Sequence, residues 1–155
     1  MIQRIQSVFL LITAMALAVF LGTNSYVRTL SASDSIIVNP YHVMHKTGTL
    51  GTEKPIFYVA VMACISILVA VIALFQYRNR LRQILFVAFN ALMMGATLAV
   101  TVYHIVKDAK QAGTGGEETY EVGIFALIVA LISNYIANYF IKKDEKLVRS
   151  ADRMR

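Results

Sequence analysis

Four long apolar runs, at residues 7–23, 57–76, 83–106 and 122–141, fill more than half of this 155-residue chain, and none holds an Asp, Glu, Lys or Arg. About 20 residues at 1.5 Å rise cross roughly 30 Å of hydrocarbon, so each run is long enough for one helical crossing. With 57% hydrophobic and 15% charged residues, the chain lacks the charge to cover a water-soluble surface. The pattern predicts an all-α membrane protein, a four-transmembrane-helix bundle in which residues 1–155 form one integral membrane domain.

The first run follows Met1-Ile2-Gln3-Arg4 and resembles a signal peptide. Its small-x-small sites, Ala14-Met15-Ala16 and Ala16-Leu17-Ala18, fall inside the run rather than after it. We therefore expect an uncleaved first helix. Cationic residues then set the orientation, because loops rich in Lys and Arg stay in the cytoplasm. With the N-terminus inside, the inner side holds Arg4, Arg78, Arg80, Arg82, Lys142, Lys143, Lys146, Arg149, Arg153 and Arg155. The outer side holds Arg28, Lys46, Lys54, Lys107 and Lys110, offset by Asp34, Glu53, Asp108, Glu117, Glu118 and Glu121. Both termini are predicted to be cytoplasmic. This asymmetry also accounts for the net charge of +6, since the bases carry no aromatic interleaving or motif for nucleic acid. The lone cysteine, Cys64, can form no internal disulfide and reads as a small packing residue.

Residues 24–56 form the longest connection, and Tyr26–Leu30 and Ile36–Val38 read as two short strands around a polar turn. We expect a small extracytoplasmic loop or β-hairpin there, broken afterwards by Asn39-Pro40, Gly48, Gly51 and Pro55. Residues 77–82 are a tight basic turn that makes the second and third helices antiparallel neighbours. Residues 111–119, with Gly113, Gly115 and Gly116, read as a flexible outer loop.

Lipid is as apolar as leucine, so membrane helices associate by close approach and interhelical hydrogen bonds. Small residues at four-residue spacing, namely Ala14/Ala18/Gly22, Ala91/Gly95/Ala99 and Ala126/Ala130, are expected to line the interior, with a dimer interface as the alternative. Asn90 lies eight residues after Arg82 and Asn134 seven before Ile141, which puts both roughly 10–12 Å inward from the cytoplasmic ends of antiparallel helices. With Gln6 and Asn138 they form a candidate polar cluster. The cluster either ties helices together or opens as a small pocket to the cytoplasm.

Asn90, Met94, Thr97, Thr101 and His104 make one polar-tinged stripe on the third helix, whose threonines can bond their own helix. His42, His45 and His104 were weighed as metal or haem ligands, but no acidic or thiol ligand accompanies them in the pattern. No cofactor is expected. No nucleophile elbow, phosphate-binding loop or zinc-protease motif occurs, so the chain is read as not an enzyme.

After the last run, Leu147, Val148, Ala151 and Met154 recur at helical spacing, and Arg149 and Arg153 share the same stretch. This amphipathic cytoplasmic tail, residues 142–155, either rests on lipid headgroups or docks on a partner protein. The tail Lys143-Asp144-Glu145-Lys146-Leu147-Val148-Arg149-Ser150-Ala151-Asp152-Arg153 and the opening Met1-Ile2-Gln3-Arg4-Ile5-Gln6-Ser7 resemble the small inner-membrane proteins of Bacteroidota grouped as a domain of unknown function, family 4293. The likeness covers the whole four-segment layout. Met154 stands where the family pattern suggests Leu, and Asn138 where it suggests a more basic residue. The resemblance implies a bacterial inner-membrane protein and carries over no activity or site residues.

The expectation is a non-catalytic accessory or scaffold subunit of a larger membrane assembly, touching lipid and other membrane proteins or a second copy of itself but no nucleic acid. The alternative is a binding or transport module for a neutral or lipidic small molecule, possibly a homodimer, using Asn90 and Asn134. Orientation is open to a direct test. A reporter active only outside the cytoplasm, fused at Pro40, Asn79, Thr114 or Arg155, should work at Pro40 and Thr114 alone; activity at Asn79 or Arg155 would reverse the topology.

Overall fold

The computed structural model describes residues 2–31, 33–48, 50–76, 79–110 and 115–153. Helix α1 (Ile2–Gly22) leads into strands β1 (Tyr26–Thr29), β2 (Asp34–Val38), β3 (His42–Thr47) and β4 (Leu50–Pro55). Helices α2 (Phe57–Phe75) and α3 (Arg80–His104) follow, and α3 continues into a π-helical turn, Ile105–Lys110. Strand β5 (Glu117–Tyr120) precedes the 32-residue α4 (Val122–Arg153). All four helices are long and apolar enough to cross a membrane.

The all-α expectation is overturned. The five strands form one antiparallel sheet in the order β4-β3-β2-β1-β5, and the fold is mixed, helices with a sheet at one end. The expected hairpin is present, with Tyr26 opposite Val38 and Thr29 opposite Ser35. What extends it are segments read from the sequence as breaks and a loose loop. Thr47 opposite Leu50 leaves a two-residue reversal in which Gly48 takes φ +60°, the positive φ that such a hairpin turn demands. Pro55 ends an edge strand, where a missing N–H costs no ladder bond. Strand β5 adds to the opposite edge, Tyr26 facing Tyr120 and Thr29 facing Glu117. Gly116 permits that approach: a Cβ there would stand 2.6 Å from the Thr29 carbonyl oxygen, and its φ is +98°.

One core runs from the sheet into the helices. Tyr26, Ile36 and Val38 pack with Phe20, Ile56 and Leu127 among its fully buried members. A second cluster at the far end joins Leu10, Ala73, Val87, Ala137 and Ile141. Between them the buried positions advance by alternating steps of three and four: Gln6, Leu10, Thr13, Leu17 and Phe20 on α1, and Gln83, Val87, Asn90, Met94, Thr97, Thr101 and His104 on α3. That spacing keeps one seam of each helix turned toward its neighbours. The helices pack in cyclic order, α1 against α4 and α2, α3 against α2 and α4.

The small-residue expectation held in kind and missed in place. Ala18 and Gly22 on α1 and Ala99 on α3 are exposed, while Ala130 on α4 is buried. The small seam lies on α2, where Ala60, Ala63, Ser66, Ala70 and Ala73 are all buried. Outward faces carry large apolar side chains such as Leu11, Met15, Leu68, Leu85 and Leu92. Such a surface would be a liability in water and is what hydrocarbon solvates.

Arg28 joins sheet to helices. It is 5% exposed, and its guanidinium donates through Nη1 to the Ala109 carbonyl at 3.0 Å and through Nε and Nη2 to the Gly115 carbonyl at 3.2 and 2.7 Å. One side chain on β1 thereby satisfies the end of the π-helical turn and the lead into β5. Replacing it by Met strands two carbonyls and should cost about 3 kcal/mol; Lys, lacking the planar fork, should cost less than Met but more than nothing. Unfolding of the purified protein in detergent measures this, and a loss under about 0.5 kcal/mol for Arg28→Met, the range of an ordinary surface change, would show that the join lies elsewhere.

Candidate functional site

Of the four polar residues expected to cluster at the end away from the sheet, the structure brings two together. Asn90 and Asn134 are fully buried; Asn90 Nδ2 donates to Asn134 Oδ1 at 3.3 Å, and Asn134 Nδ2 donates to the Val87 carbonyl at 3.0 Å. The pair fastens α3 to α4. Gln6 donates instead to the Phe140 carbonyl at 3.2 Å, fastening α1 to α4. Asn138 is half-buried and lines a shallow cleft with Tyr135, Tyr139 and Lys142. The cluster therefore resolves into the asparagine pair, the separate Gln6 contact and Asn138 at the cleft, and the buried Oδ1 atoms of Asn90 and Asn138 have no hydrogen-bond partner among the described residues. A further amide, missed in the sequence, closes the α2–α3 turn: Gln83 Nε2 donates to the Ala73 carbonyl at 3.0 Å.

The threonines of the α3 stripe turn inward on their own helix. Thr97 donates to the Met93 carbonyl and Thr101 to the Thr97 carbonyl, each at 2.8 Å. The stripe ends in a more elaborate arrangement at the sheet end. His104, 3% exposed, meets Asp108 Oδ2 through Nδ1 at 2.5 Å and the Tyr58 hydroxyl through Nε2. Lys54 on β4 grips both oxygens of Asp108 at 2.8 and 3.0 Å. Nδ1 faces the carboxylate and Nε2 the phenol, so each ring nitrogen has one partner.

Hydroxyl, imidazole and carboxylate in series can move a proton. Here Lys54 balances the carboxylate and both ring nitrogens are occupied, so the series works first as a fastening among β4, α2 and α3. The sequence had set His104 beside His42 and His45 as possible metal ligands. The structure spends them separately: His42 Nε2 lies 3.2 Å from Asn39 Nδ2, and His45 Nδ1 lies 3.4 Å from the Thr47 hydroxyl. Among the described residues, no three His, Cys, Asp or Glu side chains converge as metal ligands. Tyr58 and Lys54 escaped the sequence reading because a contact across helix and strand leaves no local spacing to detect.

At the opposite end α4 continues well past its apolar stretch. Arg80 Nη2 pairs with Asp144 Oδ2 at 3.2 Å and Nη1 donates to the Asp144 backbone carbonyl at 3.3 Å, bracing the extension against the start of α3. Leu147 is 51% and Val148 42% exposed. Met154 lies outside the described residues, as do the side chains of Arg149, Ala151 and Arg153.

Four apolar helices of membrane-spanning length, a five-stranded sheet at one end and a braced helical extension at the other define the class, a mixed helix-and-sheet protein. Within it, the chain belongs to the family described as Domain of unknown function (DUF4293), whose model matches residues 2–154. No curated protein matches it.

The asparagine tie predicts coupling. Asn90→Leu and Asn134→Leu should together lose less stability than the sum of the separate losses, by about 0.6 kcal/mol for an interhelical hydrogen bond of this kind. Strict additivity in a thermal-unfolding cycle would remove the tie; two stably folded variants without biological activity would favour the pocket.

Proposed function

We propose that the protein is a non-catalytic integral protein of a bacterial inner membrane, both termini cytoplasmic, serving as an accessory or scaffold subunit of a larger membrane assembly. The Lys and Arg asymmetry supports the orientation, and placing the sheet outside leaves its open edges in water.

The observation that carries the subunit role is the braced extension of α4. A helix of 32 residues reaches roughly 48 Å at 1.5 Å per residue, against a hydrocarbon layer of about 30 Å. The surplus projects as a stiff arm. Arg80 holds its root at Asp144, while Leu147 and Val148 stand exposed beyond it, and Val148 borders a groove with exposed Leu81. A free charged tail has no need of that brace; a docking helix does. The alternative of a ligand pocket at Asn90 and Asn134 is left with one buried acceptor without a partner, Asn90 Oδ1, since the other amide groups of the pair engage each other and a backbone carbonyl.

Copurification in mild detergent tests the role. Leu147→Asp and Val148→Asp should each release a stoichiometric protein partner, at a cost of about 2 kcal/mol or roughly thirtyfold in affinity. Exchanging Lys143 and Lys146 for Arg should leave recovery unchanged. Equal recovery across all these variants would end the docking role of the arm.

A further inference from the structure

We infer that the outward face of α4, where the helix leaves its apolar stretch, is a binding site for the phosphate headgroup of an anionic phospholipid. Two adjoining clefts share Tyr139 and Lys142: one is completed by Tyr135 and Asn138, the other by Lys143 and Lys146. At about 100° per residue, Tyr135, Tyr139, Lys142 and Lys146 fall within about 60° of one another on the helix. Buried Asn134, Ala137 and Ile141 mark the opposite, core-facing side. The face is thus turned to the surrounding lipid, and it changes along its length from apolar to phenolic to cationic.

Charge is sorted around the helix in the same sense. Asp144 is drawn toward α3 by Arg80, and Glu145 borders the groove formed with Asn79, Arg80, Leu81 and Val148. The carboxylates of this stretch are turned to the α3 side, and the three lysines stay exposed on the other. Ammonium groups on flexible stems just beyond the hydrocarbon suit a phosphodiester, and tyrosines one and two turns earlier sit at headgroup level with apolar ring and polar hydroxyl. A free phosphate offers the same anion but no acyl chain to lie along Tyr135 and the apolar face above it; the lipid uses both.

The site rests on the membrane reading; at about 100° per residue Leu147 lies about 40° from Lys143 and only Val148 stands on the side of the helix away from the lysines and tyrosines, so the lipid test changes the lysines and leaves both apolar residues in place. The experiment uses the full chain purified in detergent and reads its thermal midpoint against added phosphatidylglycerol, phosphatidylcholine or inorganic phosphate. Phosphatidylglycerol should raise the midpoint of the wild type and of Lys46→Gln, a variant at the sheet end. Changing Lys142, Lys143 and Lys146 to Gln should raise the lipid concentration needed for half the effect on the order of a hundredfold, and Tyr139→Ala should raise it less. An equal response to phosphatidylcholine, the whole response from inorganic phosphate, or an unchanged response in the triple variant would overturn the site. Alkaline extraction of membranes separates this from the premise: release of the wild type without detergent would sink the membrane reading itself, whereas failure of the lipid site alone leaves every variant in the membrane pellet.

Discussion

A backbone in hydrocarbon can send its N–H and C=O groups only to itself, and the four helices, long and apolar enough to cross a membrane, meet that condition. Helices α1 to α4 close their own hydrogen bonds and so can carry apolar side chains outward without loss. The sheet cannot meet the same condition, because β4 and β5 each present one unpaired edge. It therefore gathers at one end, where every residue of both edge strands is exposed. Arg28 stands at the boundary: near the end of the π-helical turn its guanidinium donates to the Ala109 carbonyl. A cation of fixed fork geometry, drawn from the sheet, thereby meets the end of the helix.

Helix association would follow from the same constraint in the proposed membrane setting. Burial of leucine gains little when lipid is the alternative, so cohesion comes from close approach and from amides. Helix α2 supplies the approach, with alanines and Ser66 along one line, and α3 and α4 supply the amides through Asn90 and Asn134. The two devices sit on different helices because they make different demands. An asparagine needs room for its side chain and a partner across the interface, whereas a small seam works by leaving no room at all.

The four apolar helices were legible from run length, and the Asn90–Asn134 contact from depth arithmetic on antiparallel helices. The sheet was legible only where burial writes a pattern. Tyr26–Leu30 and Ile36–Val38 flank a polar turn and gave the first hairpin, but β4 and β5 bury neither face, so an apolar pattern had nothing to record there. Gly116 looked like flexibility and proved to be close packing. The fastening of His104 to Tyr58, Asp108 and Lys54 was half-legible: the four-residue step from His104 to Asp108 lies in the sequence, while the partners from α2 and β4 depend on topology. Small-residue spacing misled because Ala and Gly recur on several faces of an apolar helix, and only packing selects the face that is used.

Helix α4 shows why a basic tail need not choose between lipid and protein. An amphipathic helix lying on a membrane has one apolar side and one charged side, and a partner must compete with lipid for the first. Here the bridge from Arg80 to Asp144 fixes the rotation of the helix as it leaves the apolar stretch. Once rotation is fixed, Lys142 and Lys146 share a side with Tyr135 and Tyr139, Val148 borders the groove beside Leu81, and Leu147 falls next to Lys143. Val148 and the lysine side can then be engaged separately, and occupation of the proposed lipid site would stiffen the arm that presents Val148.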